Sequence, residues 1–226
     1  MAQTRIVVTM DGTCGSGKST LAKRLAERLG VVYLDTGAMY RALTWKALRS
    51  GTDLNDAPAL EDLARETEIR LERAEEGTRV FVNGQEVTEV IRTPEVTNAV
   101  KYLADLPGVR SVLVEQQRAI AASRSVVAEG RDTGTIVFPA ADHKFFVDAP
   151  LEVRAERRYR EFTQKGVNTS LEEVRRDLEA RDQADYSRPV GALRRAPDGI
   201  EVDTGETDDI ETNLARIMDR MQEPRS

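Results

Sequence analysis

Short apolar runs alternate along this chain with longer stretches in which an apolar residue recurs every third or fourth position. The short runs predict buried strands and the longer spacing predicts amphipathic helices. The predicted strands are Ile6–Met10, Val31–Leu34, Val126–Ala128, Lys144–Val147 and Ile200–Val202. The predicted helices are Lys18–Leu29, Ala38–Leu48, Pro107–Ala122, Leu151–Lys165, Leu171–Asp182 and Asp209–Met221. Because buried strands alternate with helices, we expect an α/β fold with a parallel sheet covered on both faces.

Capping signals support several of these helix ends. Ser170 with Glu173 matches the capping-box pattern, and so does Asp208 with Glu211. Gly30 suits the left-handed residue that commonly ends a helix. The helices therefore have predicted starts and stops as well as an apolar face.

One segment departs from the alternation. In Arg79–Val87, Asn83-Gly84 lies between two runs of period two, which is the strongest short-range signal of a β-hairpin. Ile69–Glu72 could add a third strand, and Pro94–Asp105 has a helical pattern. We therefore expect an inserted antiparallel and helical subdomain, at about residues 66–108, within a single domain of residues 1–226.

Composition narrows the classes of function. The chain has 226 residues and a net charge of −6, which does not favour binding to nucleic acid or to an anionic membrane. Cys14 and His143 are its sole cysteine and histidine, so an internal disulfide is impossible and a zinc site or a Ser/His/Asp triad is nearly excluded. With no leader pattern and no membrane-length apolar stretch, we expect a cytoplasmic protein, and we expect a monomer.

The stretch DGTCGSGKST, between the first predicted strand and the first predicted helix, matches the pattern G-x-x-x-x-G-K-[ST]. In such a phosphate-binding loop the backbone N–H groups surround phosphate oxygens, the lysine meets the outer phosphates and the hydroxyl helps to hold Mg²⁺. We therefore expect binding of a nucleoside triphosphate, with Lys18 and Ser19 in those two roles. The loop residues are Gly12, Thr13, Cys14, Gly15, Ser16, Gly17, Lys18, Ser19 and Thr20.

Arginines indicate a second ligand that carries phosphate. Thr36 and Arg41 come just after the second predicted strand, and Arg131 comes just after Val126–Ala128. In an open parallel sheet ligands bind at the carboxyl ends of the strands, so we expect these residues to share a cleft with the phosphate-binding loop. Guanidinium groups bind phosphate in a bidentate manner, and Arg181 and Arg188 are further candidates.

Five stretches together resemble the bacterial cytidylate kinase family in order and spacing. They are DGTCGSGKST, LDTGAMYRAL, IRTPEVTNAVKYLADLPGVR, EGRDTGTIVFP and ARDQADYSRP, and the resemblance extends from Ile6 to about Met218. It implies a P-loop kinase fold with a central five-stranded parallel sheet, an inserted acceptor-binding subdomain and a mobile helical lid at about residues 153–166. The implied reaction is transfer of the γ-phosphoryl group of ATP to CMP or dCMP, with Mg²⁺.

The resemblance also implies roles for individual residues. Lys18, Arg131 and Arg188 match catalytic positions, and Arg41, Arg131 and Arg188 match positions that hold the acceptor phosphate or the transferring group. Positions that recognise the cytosine ring are matched by Arg110 and Asp132, and positions near its sugar by Arg181 and Asp185. Arg157 and Arg158 match lid positions near the donor nucleotide.

Three positions depart from the family's usual pattern. Members usually have proline and then a small residue where this chain has Thr13 and Cys14. They commonly have a serine that reaches the base where this chain has Lys101. We still expect Lys101 to lie at the base of the acceptor nucleotide.

Two other functions stay open on sequence alone. A kinase for another nucleotide or for a small metabolite such as shikimate would share the phosphate-binding loop. A regulatory ATPase or switch would bind the nucleotide and act through partners. Incubation with ATP alone separates the last alternative, because a kinase turns over when its acceptor is added.

Overall fold

The computed structural model describes residues 5–74 and 77–223, which form eight β-strands and eight α-helices. The strands are β1 Val7–Gly12, β2 Val32–Asp35, β3 Ile69–Arg73, β4 Thr78–Val82, β5 Gln85–Glu86, β6 Val126–Gly130, β7 His143–Asp148 and β8 Ile200–Asp203. The helices are α1 Lys18–Leu29, α2 Thr36–Ser50, α3 Ala57–Glu66, α4 Pro94–Ala104, α5 Pro107–Ala122, α6 Leu151–Gln164, α7 Leu171–Ser187 and α8 Ile210–Gln222. Short helical turns cover Val90–Arg92 and Thr133–Val137, and the second of these is a π-helical turn.

The main sheet has five parallel strands in the order β2-β6-β1-β7-β8, so β1 lies at its centre. Because β1, β6 and β7 have partners on both sides and helices on both faces, most of their residues are buried. The predicted α/β fold with a central five-stranded parallel sheet is confirmed. The parallel arrangement brings the carboxyl ends of all five strands to one edge.

The core is divided by this sheet. One apolar cluster packs the face toward α2, α3, α4 and α5 and includes the fully buried Met39, Leu43 and Leu113. The other packs α1 and α8 onto the opposite face, around Met10, Leu25 and Phe145. A third, small cluster joins α6 to α7 through Ala155, Val174 and Leu178. The strand ends are therefore held by packing from both sides of the sheet.

A second sheet, antiparallel in the order β3-β4-β5, lies within the predicted insert. Its hairpin turns at Asn83-Gly84, where both residues have positive φ (48° and 82°), as the Asn-Gly signal predicts. It remains a prediction that residues 66–108 form a separate inserted subdomain and that residues 153–166 form a mobile lid.

Two local features differ from the sequence prediction. Helix α3 is not predicted, since its apolar face is short, although Asp56 caps it by accepting from the N–H of Ala59 at 3.0 Å. The predicted capping box at Asp208 is wrong: Asp209 caps α8, because the Asp208 carboxylate instead accepts from Arg157. The capping box of Ser170 and Glu173 is confirmed.

None of the helices in the described ranges has the length and apolar character needed to cross a membrane.

Candidate active site

The phosphate-binding loop joins the end of β1 to the start of α1. Gly12, Gly15 and Gly17 all have positive φ, at 153°, 82° and 82°. A Cβ atom on Gly12 would lie 1.9 Å from the carbonyl oxygen of Val147 on β7, so a side chain there would force the two strands apart. These glycines let the backbone turn sharply and leave its N–H groups free of covering side chains.

The outside of this loop is held by hydroxyl groups. Ser16 Oγ donates to the carbonyl oxygen of Thr13 at 3.0 Å, and Thr13 Oγ1 donates to Asp148 Oδ1 at 2.5 Å. Thr204 Oγ1, just after β8, donates to the carbonyl oxygen of Ser16 at 2.8 Å. Thr13 thus fixes the loop to the end of β7.

Arg154 connects the loop to the helices that follow β7. Its Nη1 donates to the carbonyl oxygen of Cys14 at 3.0 Å and also pairs with Asp182 of α7, at 2.7 Å. Its Nε donates to the carbonyl oxygen of Ala149 at 2.8 Å. The side chain is 7% exposed, so three elements share one buried guanidinium group. Arg154 was not among the residues selected from the sequence, because its partners are distant along the chain.

Lys18 is buried at the start of α1. Burial lowers the pKa of its ammonium group, and the positive charge of Arg131 lowers it further, whereas Glu129 opposes the change. Ser19 Oγ donates to Glu129 Oε1 at 2.8 Å. Lys18 and Ser19 of the loop therefore lie close to the Glu129 carboxylate, near the end of β6.

The sequence pattern assigns no role to Glu129, although it lies in the stretch EGRDTGTIVFP. Its side chain is buried, which raises the pKa of the carboxyl group, and its Oε2 accepts no hydrogen bond from the described residues. The signal that could have identified it is its place near the carboxyl end of the strand next to β1. A buried carboxylate oxygen without a donor, beside a phosphate-binding loop, suits a cation.

Asp11 ties the central strand to the π-helical turn. Its Oδ1 accepts from the N–H and the hydroxyl of Thr133, both at 2.8 Å, and its Oδ2 accepts from the N–H of Gly134 at 2.7 Å. Burial raises the pKa of this carboxyl group, while these hydrogen bonds oppose the change. The turn that follows Arg131 and Asp132 is thus fixed to β1.

Arg131 and Arg188 meet at a shared carboxylate. Arg131 Nε donates to Asp185 Oδ2 at 2.6 Å, and Arg188 Nη2 donates to Asp185 Oδ1 at 3.1 Å. Burial alone would raise the pKa of Asp185, but the charges of these two arginines and the hydrogen bond from Arg131 hold it below its ordinary value. Two of the predicted phosphate-binding arginines are therefore brought together.

Arg110 and Asp132 form a buried ion pair beside them. The Arg110 guanidinium donates to Asp132 Oδ2 and, at 3.2 Å, to the carbonyl oxygen of Ala104. It also lies over the ring of Tyr40, 5.5 Å from its centre. Burial raises the pKa of Asp132 to about 6 despite the positive charge of Arg110. The two residues matched to cytosine recognition are in direct contact.

Arg41 and Thr36 lie on the first turns of α2. Arg41 Nη2 donates to Asp35 Oδ2 at 3.1 Å, and its buried Nε has no acceptor among the described residues. Thr36 Oγ1 donates to the carbonyl oxygen of Glu129 at 2.6 Å. The hydrogen bond from Thr36 thus joins the carboxyl ends of β2 and β6.

The remaining predicted site residues are more peripheral. Lys101 is exposed on α4 with its ammonium group 5.3 Å from the ring centre of Tyr102, and Arg181 is exposed on α7. Arg158 pairs with Glu161 on its own helix at 2.7 Å.

Arg157 reaches the loop after β8. Its Nη2 donates to the carbonyl oxygen of Thr204 at 2.5 Å, next to the hydroxyl that holds the phosphate-binding loop.

The single histidine of the chain is not part of this site. His143 starts β7 opposite Val8, at the amino end of the sheet and away from the cleft.

Comparison with known proteins gives one consistent result. The family model described as cytidylate kinase matches residues 8–223. A cytidylate kinase of Geobacillus thermodenitrificans (strain NG80-2) is 46% identical over 219 residues, which cover 97% of each chain. One of Exiguobacterium sibiricum is 44% identical over 219 residues, covering 97% of this chain and 96% of the relative. A solved structure of an uncharacterized protein from Eubacterium ventriosum ATCC 27560 covers 97% of this chain and 100% of its own, with a TM-score of 0.51 and 12% identity, a likeness of fold alone.

Proposed function

The chain belongs to the cytidylate kinase family, and we propose that the cleft at the carboxyl edge of its main sheet is where it transfers the γ-phosphoryl group of ATP to CMP or dCMP. The observation that carries this assignment is the convergence of two phosphate-binding groups. Lys18 and Ser19 lie at the end of the donor loop, and Arg131, a candidate for the acceptor phosphate, lies beside Lys18 just after β6. A donor and an acceptor phosphate bound there would face each other.

The chemistry requires positioning and charge neutralisation more than proton transfer. The phosphate of CMP has a second pKa of about 6, so near neutral pH it is largely a dianion that can attack without a general base. Charge spreads over the transferred group's oxygens in the loose transition state. In our proposal Lys18, Arg131, Arg188 and Arg41 supply the compensating positive charge.

Magnesium is the proposed metal, and the residues present suit it. Mg²⁺ prefers oxygen ligands and commonly takes one or two from the protein, with phosphates and water completing its coordination. Ser19 Oγ and the unpartnered Glu129 Oε2 supply such oxygens beside the loop. A magnesium ion held there would supply positive charge that offsets the negative charge of the outer phosphates of ATP. Ser19 would hold it directly and Glu129 would hold it directly or through its water.

Recognition of the base is assigned to Asp132 and Arg110. Cytosine carries an amine where uracil carries a carbonyl, so a carboxylate accepts a hydrogen bond from cytosine and repels uracil. Asp132 Oδ2 is engaged by Arg110, which leaves Oδ1 for the amine. Arg181 and Asp185 are proposed near the sugar, and Arg157 and Arg158 near the donor nucleotide.

A screen of acceptors tests the proposed reaction. Purified protein is incubated with ATP and Mg²⁺, alone and with CMP, dCMP, UMP, AMP, GMP or shikimate, and formation of ADP and of the new diphosphate is followed. We expect turnover with CMP and dCMP, and little ADP without an acceptor. Rapid ADP formation in ATP alone would indicate an ATPase, and faster turnover with another acceptor would indicate a different kinase.

Replacing Lys101 with serine tests the departure at the base site. The Lys101 ammonium group is exposed and can donate to the carbonyl oxygen of either pyrimidine, so it adds little discrimination. We expect Lys101→Ser to change the KM for CMP by less than about tenfold, which corresponds to about 1.4 kcal/mol. Steady-state kinetics with varied CMP give the answer, and complete loss of activity would contradict this assignment.

The choice between CMP and UMP should depend on pH. Asp132, with a pKa of about 6, is ionised above that pH and protonated below it, whereas Arg110 beside it stays charged. The kcat/KM ratio of CMP to UMP should therefore fall as the pH decreases through 6. The phosphate's own titration is common to both acceptors and cancels in the ratio. A ratio that stays constant from pH 5 to 8 would show that the Asp132 carboxylate does not recognise the base.

We also retain two expectations from the sequence, a monomer and a cytoplasmic location. Light scattering during size-exclusion chromatography tests the first, and cell fractionation tests the second.

A further inference from the structure

Arg188 is held by two carboxylates from different parts of the fold. Its Nη2 donates to Asp185 at 3.1 Å, three residues earlier on α7, and its Nε donates to Asp105 Oδ1 at 2.7 Å. Asp105 follows the last residue of α4, inside the predicted insert. The Nε bond therefore joins the insert to the end of α7 across the proposed acceptor site.

The two carboxylates differ in how firmly they are held. The side chain of Asp185 is 9% exposed and also accepts from Arg131, so removing it would leave a buried arginine without its partner. The side chain of Asp105 is 47% exposed, and Arg188 is the one ion-pair partner that the described residues give it. Asp105 can therefore exchange Arg188 for water at small cost.

Charge within the group of ion pairs around Arg188 is balanced. Three arginines, 110, 131 and 188, face three carboxylates, those of Asp105, Asp132 and Asp185. A phosphate dianion entering this group adds two negative charges to a region of low exposure, and release of one carboxylate to solvent reduces that excess. Of the three, Asp105 is the most exposed.

We propose that Asp105 competes with the acceptor's phosphate for the Nε edge of Arg188 and so limits the affinity for the acceptor. The proposal rests on the assignment of Arg188 to the acceptor phosphate. Binding of the acceptor then breaks the Arg188–Asp105 contact and releases the insert from the end of α7. Asp105 acts through Arg188 and is a positioning residue with a negative effect on binding.

The opposite role predicts the opposite sign. If Asp105 orients Arg188 for the phosphate, its removal weakens binding of CMP, as loss of a supporting hydrogen bond does. If it competes, removal strengthens binding. The direction of the change in affinity therefore separates the two roles, which a general loss of stability would not do.

Asp105→Asn removes the charge and keeps the shape. Calorimetric titration with CMP, and steady-state kinetics with varied CMP at saturating ATP–Mg²⁺, measure its Kd, KM and kcat. We expect Kd and KM to fall by about two- to fivefold, the range of a partly exposed ion pair, with kcat unchanged or lower. Asp105→Glu, which keeps a carboxylate in reach, should return both values toward those of the unchanged protein.

Two controls complete the experiment. Glu95→Gln removes one negative charge from an exposed position on the same helix, where no ion pair is present among the described residues, and should leave Kd unchanged. In an Arg188→Ala background, Asp105→Asn should have no further effect on Kd. If Arg188→Ala itself leaves Kd unchanged, the assignment of Arg188 to the acceptor is wrong. If it weakens binding but Asp105→Asn does not tighten it, the competition is overturned and the assignment of Arg188 stands.

Discussion

Replacing Lys18 with alanine should lower kcat for phosphoryl transfer by at least about 100- to 1000-fold, the usual cost of removing one group that stabilises developing charge. The Lys18 ammonium group is buried between the phosphate-binding loop and β6, where its interaction with phosphate oxygens is weakly screened. A rapid-quench or coupled assay with CMP and ATP–Mg²⁺ measures the change. Near-normal turnover would contradict a role for the phosphate-binding loop in phosphoryl transfer.

The matched control is Lys23→Ala, which removes the same charge from the same helix. Lys23 lies a turn and a half further along α1, beyond the loop. We expect its kcat to stay within a factor of about two of the unchanged protein, as surface substitutions away from a site usually have small effects. Circular dichroism should show both variants folded, because truncating Lys18 removes a charge whose burial is itself unfavourable.

Replacing Asp132 with asparagine should reduce the preference for CMP over UMP by about 1–3 kcal/mol, or about 5- to 150-fold in the ratio of kcat/KM. The carboxylate accepts from the cytosine amine and repels the uracil carbonyl, whereas an amide can donate to that carbonyl. Kinetics with both acceptors in both proteins supply the ratio. The effect should appear as a gain for UMP as well as a loss for CMP.

Asparagine is the informative substitution because Asp132 is also a structural partner. It pairs with the buried Arg110, and removing one member of a buried pair can cost about 3–5 kcal/mol of folding stability. An asparagine oxygen can still accept from Arg110, and thermal unfolding of Asp132→Asn and Asp132→Ala measures the difference. If activity on both acceptors falls equally and the ratio does not move, the base is recognised elsewhere.

The fold was accessible from the sequence wherever the signal is local. The strands of the main sheet are short apolar runs bounded by turn residues, and each predicted strand lies within two residues of an observed one. Asn83-Gly84 specifies its turn through backbone geometry alone. Helix α3 was missed because it is only 10 residues long, although Leu60, Leu63 and Ala64 have helical spacing.

The site was accessible only in part, because its contacts join distant segments. The loop pattern identifies Lys18 and Ser19 without further knowledge, and the end of a strand identifies Arg131. No spacing rule pairs Arg110 with Asp132, since one lies on α5 and the other follows β6; the family resemblance selected them. The bond from Arg188 to Asp105 spans 83 positions and depends on where the insert lies over the cleft.

The three hydrogen bonds that Asp11 accepts have a consequence for motion. They fix the turn that follows Arg131 and Asp132 to the same central strand from which the donor loop departs. In the proposed reaction the donor loop and the turn after Asp132 therefore share one support, β1. We expect motion of the insert or of α6 to alter access to the cleft more than the separation of the reacting atoms. Since a misplacement of about 1 Å can cost 100-fold in rate, we expect the sheet to set the positions of the reacting groups and the insert and lid to supply any motion that admits the substrates.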